Sequence, residues 1–254
     1  MNILAVNDDG IKSEGLIRLV ETLSQVADIY VCAPHTQRSA SSHSISYGTP
    51  IEAEEVEFEN AKSAFAITGT PADCVKLGLK ILEKRGISID MVFSGINHGG
   101  NLGTDTIYSG TVGAAREGCL CNKPSVAVSV DSHNPKHFDF ACELALKTCQ
   151  KAFGKFDKKT VININAPDLP KEEIKGVKFA KLGPREYQET FEPHENPSGT
   201  VQYRYKGQPV IYDSRDVDVD VTAMQEGYAT ITPLHHDLTN YTLLEEIKKW
   251  RIEE

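Results

Sequence analysis

Long apolar runs, paired cysteines and basic clusters are all missing from this 254-residue chain, and each absence removes a class of function. No run approaches the roughly 20 apolar residues a membrane-spanning helix requires. The apolar stretch Ile3–Val6 meets Asn7, Asp8 and Asp9 at once, which would stop a signal sequence. A cytoplasmic protein with no membrane partner is therefore expected. The six cysteines (Cys32, Cys74, Cys119, Cys121, Cys142, Cys149) form no CxxC pair and no interleaved histidine spacing, so zinc is unsupported. Small buried thiols in a reducing compartment are the reading. Lys and Arg total 27 against 36 Asp and Glu, for a net charge of −9, with no basic stretch to follow a phosphate backbone. A nucleic-acid polymer is a poor match for such a surface. A small phosphorylated ligand stays open if a bound cation supplies the positive charge locally.

Three phosphate motifs are missing as well. No GxGxxG opens the first strand–helix turn and no GxxxxGK[ST] occurs, which disfavours dinucleotide-binding and P-loop proteins. The aspartates after the first apolar run are adjacent and not spaced Asp-x-Asp, unlike the haloacid-dehalogenase pattern.

What is present is an alternation of short apolar runs and helical segments. Ile3–Val6, Ile29–Ala33, Met91–Ser94, Val126–Val130 and Val161–Ile164 read as buried strands. Between them, helices are expected from a Ser13 cap to Val26, from the Thr70-Pro71-Ala72-Asp73 start to about Lys84, over Ser109–Leu120 and over Phe138–Phe153. This order gives right-handed βαβ units and an α/β fold with a mainly parallel sheet between helical layers. Residues 45–58 read as an antiparallel excursion. The runs Val201–Tyr205 and Pro209–Tyr212, joined near Lys206-Gly207, read as a hairpin arm within 185–215. A strand over Gly227–Thr232 and a terminal helix over Thr239–Trp250 close the chain, taken as one domain over 1–254. Tyr187, Phe191, Tyr203, Tyr205 and Tyr212 on the arm suggest an oligomer contact, because so many rings are costly in solvent.

In an open parallel sheet, ligands bind beyond the carboxyl ends of the strands. There the sequence places Asn7-Asp8-Asp9-Gly10, Arg38-Ser39-Ala40 and the stretch from Gly95 to Asn101. Alone, Asp8-Asp9-Gly10 is a turn signal. Two adjacent carboxylates repel unless a cation or buried donors compensate, and Ser39 and Asn97 offer neutral oxygens nearby. Such an all-oxygen set favours Mg²⁺ or Mn²⁺. Residues 95–113 hold six of the chain's 19 glycines, and Ser109-Gly110-Thr111 follows at an expected helix start, an arrangement suited to phosphate. His235, just after Thr232-Pro233-Leu234, is the best-placed histidine for protonating a leaving oxygen, with His43 the runner-up.

Five blocks in order, ILAVNDDGI at 3–11, APHTQRSASSHSIS at 33–46, TGTPADCVKLG at 68–78, SGINHGGNLGTDTIYSGTVGAAREG at 94–118 and EGYATITPLHHDLT at 226–239, resemble the SurE family of survival phosphatases. The resemblance implies a Rossmann-like core, 5′/3′-nucleotidase activity on nucleoside monophosphates and one divalent cation per subunit. It also implies a homodimer or homotetramer built partly by exchanged C-terminal elements, here 216–254. Carried over, the metal ligands are Asp8, Asp9, Ser39 and Asn97, and the phosphate contacts Asn97, Gly99, Ser109, Gly110 and Thr111. Ser42 and His98 depart from the glycine and arginine that the family pattern leads one to expect. The expected chemistry is in-line attack by water that Asp8 or Asp9 orients or deprotonates. A broader acid phosphatase or exopolyphosphatase would use the same site, and a non-catalytic nucleotide sensor has little need of adjacent carboxylates.

Overall fold

The computed structural model describes residues 1–155, 158–195, 199–210 and 218–252. In the first half the elements are β1 (Asn2–Val6), α1 (Glu14–Leu23), β2 (Asp28–Pro34), β3 (Ala53–Val56), β4 (Ser63–Ile67), α2 (Pro71–Lys84) and β5 (Met91–His98). Then follow α3 (Asp105–Tyr108), α4 (Gly110–Leu120), β6 (Ser125–Val130), α5 (Asp139–Ala152), β7 (Thr160–Ala166) and β8 (Val177–Phe179). The last are β9 (Tyr187–Glu195), β10 (Val201–Pro209), α6 (Asp220–Gln225), β11 (Ala229–His235) and α7 (Tyr241–Ile247).

Strand β1 shows why the sheet is buried on both faces. Side chains alternate along a strand. Ile3 and Ala5 join the layer of α1 and α5, with Leu16, Leu19, Phe93, Val126 and Ala145. Leu4 and Val6 face α2 and α4, among Cys32, Phe65, Val75 and Ala114. The result is a three-layer α/β fold whose nine-stranded sheet runs β3-β4-β2-β1-β5-β6-β7-β11-β8. The strands from β4 to β7 are mutually parallel; β3 and β11 run against their neighbours β4 and β7. The carboxyl ends of β1, β2, β5, β6 and β7 thus open on one edge. Helix α2 starts with a capping box, in which Thr70 and Asp73 bond each other's backbone amides. The six cysteines are unbridged, and five are buried. No helix among the described residues is long and apolar enough to cross a membrane.

Several boundaries differ from expectation. Helix α1 ends at Leu23, capped by Ser24, short of Val26. The excursion contributes one short strand, β3, which pairs with β4, a strand the apolar pattern of residues 63–67 hides among alanines. The arm is a hairpin of different register: β9 pairs with β10, and Lys206 and Gly207 lie mid-strand opposite Thr190 and Glu189. Gly207 is there for packing, because a Cβ on it would stand 2.8 Å from the Tyr205 hydroxyl. The expected Pro209–Tyr212 run reaches outside the described residues. Phe191, Val201, Tyr203 and Tyr205 are all at least half exposed on the arm, and so are Leu238, Tyr241, Trp250 and Ile252 near the C-terminus. The terminal helix is α7 followed by a short 3₁₀ turn, Lys248–Trp250.

Asp73 also accepts the Ser46 amide at 3.0 Å, so it ties the 37–46 loop to the start of α2. Asp73→Ala removes both roles and should cost about 1–3 kcal/mol in urea unfolding. A loss below about 0.5 kcal/mol, the level of a surface substitution, would contradict this.

Candidate active site

The turn after β1 is held by one side chain. Asn7 Nδ2 donates to the Gly10 carbonyl at 3.0 Å and to Ser13 Oγ at 2.6 Å, while the Gly10 amide donates back to Asn7 Oδ1 at 3.3 Å. Gly10 has φ of 101°, a value that strains any residue with a Cβ. Ser13 in turn caps α1. The turn directs Asp8 inward, where it is 4% exposed and accepts the Thr111 hydroxyl at 2.5 Å. Burial pushes its carboxyl up to about 6; the Thr111 bond opposes that shift and the Asp9 charge adds to it. Asp9 is raised too, chiefly by burial, although it accepts the His98 amide at 3.1 Å and Gln37 Nε2 at 3.3 Å.

Neither carboxylate is ion-paired to a lysine or arginine among the described residues. Asp8, Ser39, Asn97, Gly99 and Ser109 line a cleft of about 450 Å³, whose other walls include Gln37, His98, Gly100, Tyr108 and His133. Among the described residues no lysine or arginine lines it. Asp9 opens on an adjoining depression that shares Gln37 and His98 with the cleft. Asn97 Nδ2 donates to the Gly99 carbonyl at 2.7 Å, so its amide oxygen is left for another partner. No cluster of three or more His, Cys, Asp or Glu side chains suited to a metal occurs among the described residues. The set here is two carboxylates with a hydroxyl and an amide oxygen. An uncompensated buried negative charge with neutral oxygen donors around it fits a hard divalent cation.

The structure redistributes the expected phosphate contacts. Ser109 N-caps α4 through Val112, leaving its hydroxyl proton to donate into the cleft. Gly110 is needed for closeness: a Cβ would lie 2.9 Å from Asp8 Oδ2 and 2.5 Å from Ser41 Oγ. Thr111 is fully buried with its hydroxyl on Asp8, so it stands behind the carboxylate and not on the cleft wall. The Gly99 amide is taken by the Val130 carbonyl at 2.9 Å, which leaves Gly99 as wall rather than donor.

Neither histidine singled out from sequence reaches the cleft within one chain. β11 runs antiparallel to β7, with His235 opposite Thr160 at the start of that strand, so His235 sits at the edge of the sheet away from Asp8. His43 Nε2 is engaged by Glu117 at 2.8 Å. Two histidines passed over for catalysis do line it, His98 and His133, the latter just past β6 where the strand-end rule points. Sequence reasoning also missed how the glycine stretch is strapped down. Buried Asp220 accepts the amides of Gly103 and Gly183, each at 2.8 Å, and Arg185 pairs with Asp105 at 2.8 Å. From the glycine stretch, Asp220 lies 117 residues along the chain from Gly103 and Arg185 lies 81 from Thr104, and no local pattern announces either.

Fold and cleft together define an α/β protein with a carboxylate pair and a glycine-walled cleft at the carboxyl edge of a parallel sheet. The model of the survival protein SurE family matches residues 3–189, and the chain belongs to that family. A protein named 5′-nucleotidase SurE from Syntrophomonas wolfei is 43% identical over 98% of this chain and 94% of its own length. One of the same name from Pelotomaculum thermopropionicum is 44% identical, covering 98% and 95%. The crystal structure of a SurE protein from Aquifex aeolicus superposes with a TM-score of 0.84 at 34% identity, covering 98% of this chain and 99% of the other.

Gly110→Ala tests the site's tolerance. The new methyl displaces the Asp8 carboxylate or the Ser41 loop, and a misplacement of that order should lower phosphate release by about 10²-fold with the fold retained. Wild-type turnover would show that the packing of Asp8 against α4 is not needed.

Proposed function

We propose that the chain is a cytoplasmic, metal-dependent phosphomonoesterase, a single domain that hydrolyses nucleoside 5′-monophosphates, and 3′-monophosphates, to nucleoside and phosphate. The observation that carries this reading is the carboxylate pair, Asp8 buried and Asp9 half-buried, with no lysine or arginine partner among the described residues, set against a cleft ending at the start of α4. The relatives named 5′-nucleotidase support the substrate class.

Asp8, Asp9, Ser39 Oγ and Asn97 Oδ1 would hold one Mg²⁺ or Mn²⁺ per subunit. When bound, that ion neutralises phosphate charge and polarises the phosphorus–oxygen bonds. The chain's own groups do the rest. The Ser109 hydroxyl orients the phosphate at the start of α4, helped by the positive end of the helix. The carboxylate pair orients water for in-line attack and takes its proton as the new P–O bond forms and the ester P–O bond breaks. The departing ribose oxygen needs a proton, and His133 on the cleft wall takes the place expected of His235.

The exposed rings of the arm and of the C-terminal segment give the chain two apolar surfaces for a homodimer or homotetramer. Removing residues 186–214 should lower the number of subunits per particle, read as the light-scattering mass divided by the shortened subunit's mass; an unchanged number would contradict a role for the arm.

For the activity, phosphate release is measured from 5′- and 3′-monophosphates, a simple aryl phosphate and short polyphosphate, with several divalent ions. The expected result is preference for nucleoside monophosphates, silence in EDTA and recovery with Mn²⁺ or Mg²⁺. Asp9→Asn should be folded and inactive. Equal rates across the panel would make this a broad acid phosphatase, polyphosphate preference an exopolyphosphatase, and nucleotide binding without turnover a sensor.

A further inference from the structure

Helix α4 meets the Ser39-bearing loop along a single stripe. Gly110, Gly113 and Glu117 are spaced i, i+3, i+7 and so share one face of the helix. Each receives one of three consecutive loop residues. A Cβ on Gly110 would stand 2.5 Å from Ser41 Oγ, and one on Gly113 would stand 2.4 Å from the Ser42 carbonyl. One turn on, Glu117 Oε2 contacts His43 Nε2 at 2.8 Å. The two glycines let the loop backbone lie directly on the helix, and the carboxylate grips the ring that follows.

Glu117 is an expensive residue to place there. Its side chain is 4% exposed, and a carboxylate so deeply enclosed is tolerated only when its oxygens are paired. The second oxygen takes Lys76 Nζ of α2 at 2.9 Å, and the Cys121 thiol lies 3.7 Å from it. Burial would raise this carboxyl, but the bonds from His43 and Lys76 outweigh burial and hold it below the usual range. Packing alone would be served by an apolar residue. A charge-assisted bond adds direction, fixing the loop's rotation on the helix as well as its distance.

The loop has reason to need such a hold. Ala40 and Ser42 both adopt φ of 54°, a conformation unfavourable for residues with a Cβ. Ser42 is one of the positions that depart from the family pattern. Its amide donates to the Tyr108 carbonyl at 2.9 Å and its hydroxyl to the Ile107 carbonyl at 2.7 Å, which offsets part of that cost. Ser39, at the exposed end of the same loop, faces the cleft.

We propose that Glu117 is a positioning residue: by binding His43 it fixes the Ser39 loop over the Asp8 cleft, without touching substrate itself. The proposal rests on Ser39 serving as a metal ligand, and the test separates the two. Full-length wild type, His43→Ala, His43→Gln and Glu117→Gln are compared in two measurements. One is amide hydrogen exchange over residues 38–46; the other is the Mn²⁺ half-saturation of turnover, with kcat at saturating Mn²⁺.

For His43→Ala, loss of a charge-assisted bond should speed loop exchange about tenfold and raise Mn²⁺ half-saturation about tenfold, with kcat at saturating Mn²⁺ changed less than about threefold. His43→Gln, which keeps a donor, should recover part of both effects. If Glu117→Gln fails to fold, the two His43 variants carry the test. Loop exchange in His43→Ala within about twofold of wild type would overturn the proposal, as would a lowered melting temperature alone. Faster loop exchange with unchanged Mn²⁺ dependence would overturn Ser39 as a ligand and, with it, the claim that Glu117 positions the site.

Discussion

Two carboxylates end a buried strand with no lysine or arginine among the described residues to answer them, and the rest of the site is arranged around that charge. Asp8 is almost wholly enclosed, accepts a neutral hydroxyl and has a second acid as its chain neighbour. Enclosure and the neighbouring acid both disfavour ionisation, and together they push its carboxyl up to about 6 although the bond from the Thr111 hydroxyl favours the charged form. A fold gains nothing from such an arrangement unless something positive comes to it. Among the described residues no lysine or arginine lines the cleft beside it, so a cation between an anionic substrate and these acids would relieve their repulsion.

Everything else concerns distance. The start of α4 comes close to Asp8 because Gly110 has no side chain to keep it away, and the Ser39 loop lies on the same helix because Gly113 has none. Helix α1 is pressed as tightly on β5, where a Cβ at Gly15 would fall 1.9 Å from the Ile96 carbonyl oxygen. The glycine stretch that forms the far wall is pinned from outside the core, by Asp220 and by the Arg185–Asp105 pair at the root of the arm. The arm is thus joined to the wall of the cleft through Asp105, which pairs with Arg185 and accepts the Tyr187 hydroxyl at 2.6 Å.

The core and the carboxylate turn were legible in the sequence because their signals are local. Apolar runs of four or five residues, the Ser13 and Thr70 caps and the Asp-Asp-Gly turn each depend on neighbours within a few positions. Convergence of Asp8, Ser39 and Asn97 followed from the rule that parallel strands open on one edge. What was hidden depends on direction or on remote pairing. His235 ends a strand, as expected, but the strand runs antiparallel and ends on the other side. Thr111 stands beside the cleft in sequence and behind it in space. The hairpin register was misplaced because Lys206-Gly207 has the composition of a turn, whereas Gly207 makes room for Tyr205. Asp220, Arg185 and Glu117 act on partners far along the chain or on a loop whose path no periodicity describes.

If this acidic pair holds a divalent cation, the ion binds without substrate. Titration calorimetry of Mn²⁺ into the metal-free protein, without substrate, measures this directly. One site per chain is expected, lost in Asp8→Asn and in Asp9→Asn while both variants keep the native circular dichroism spectrum. Stoichiometric Mn²⁺ binding that survives both substitutions would contradict it.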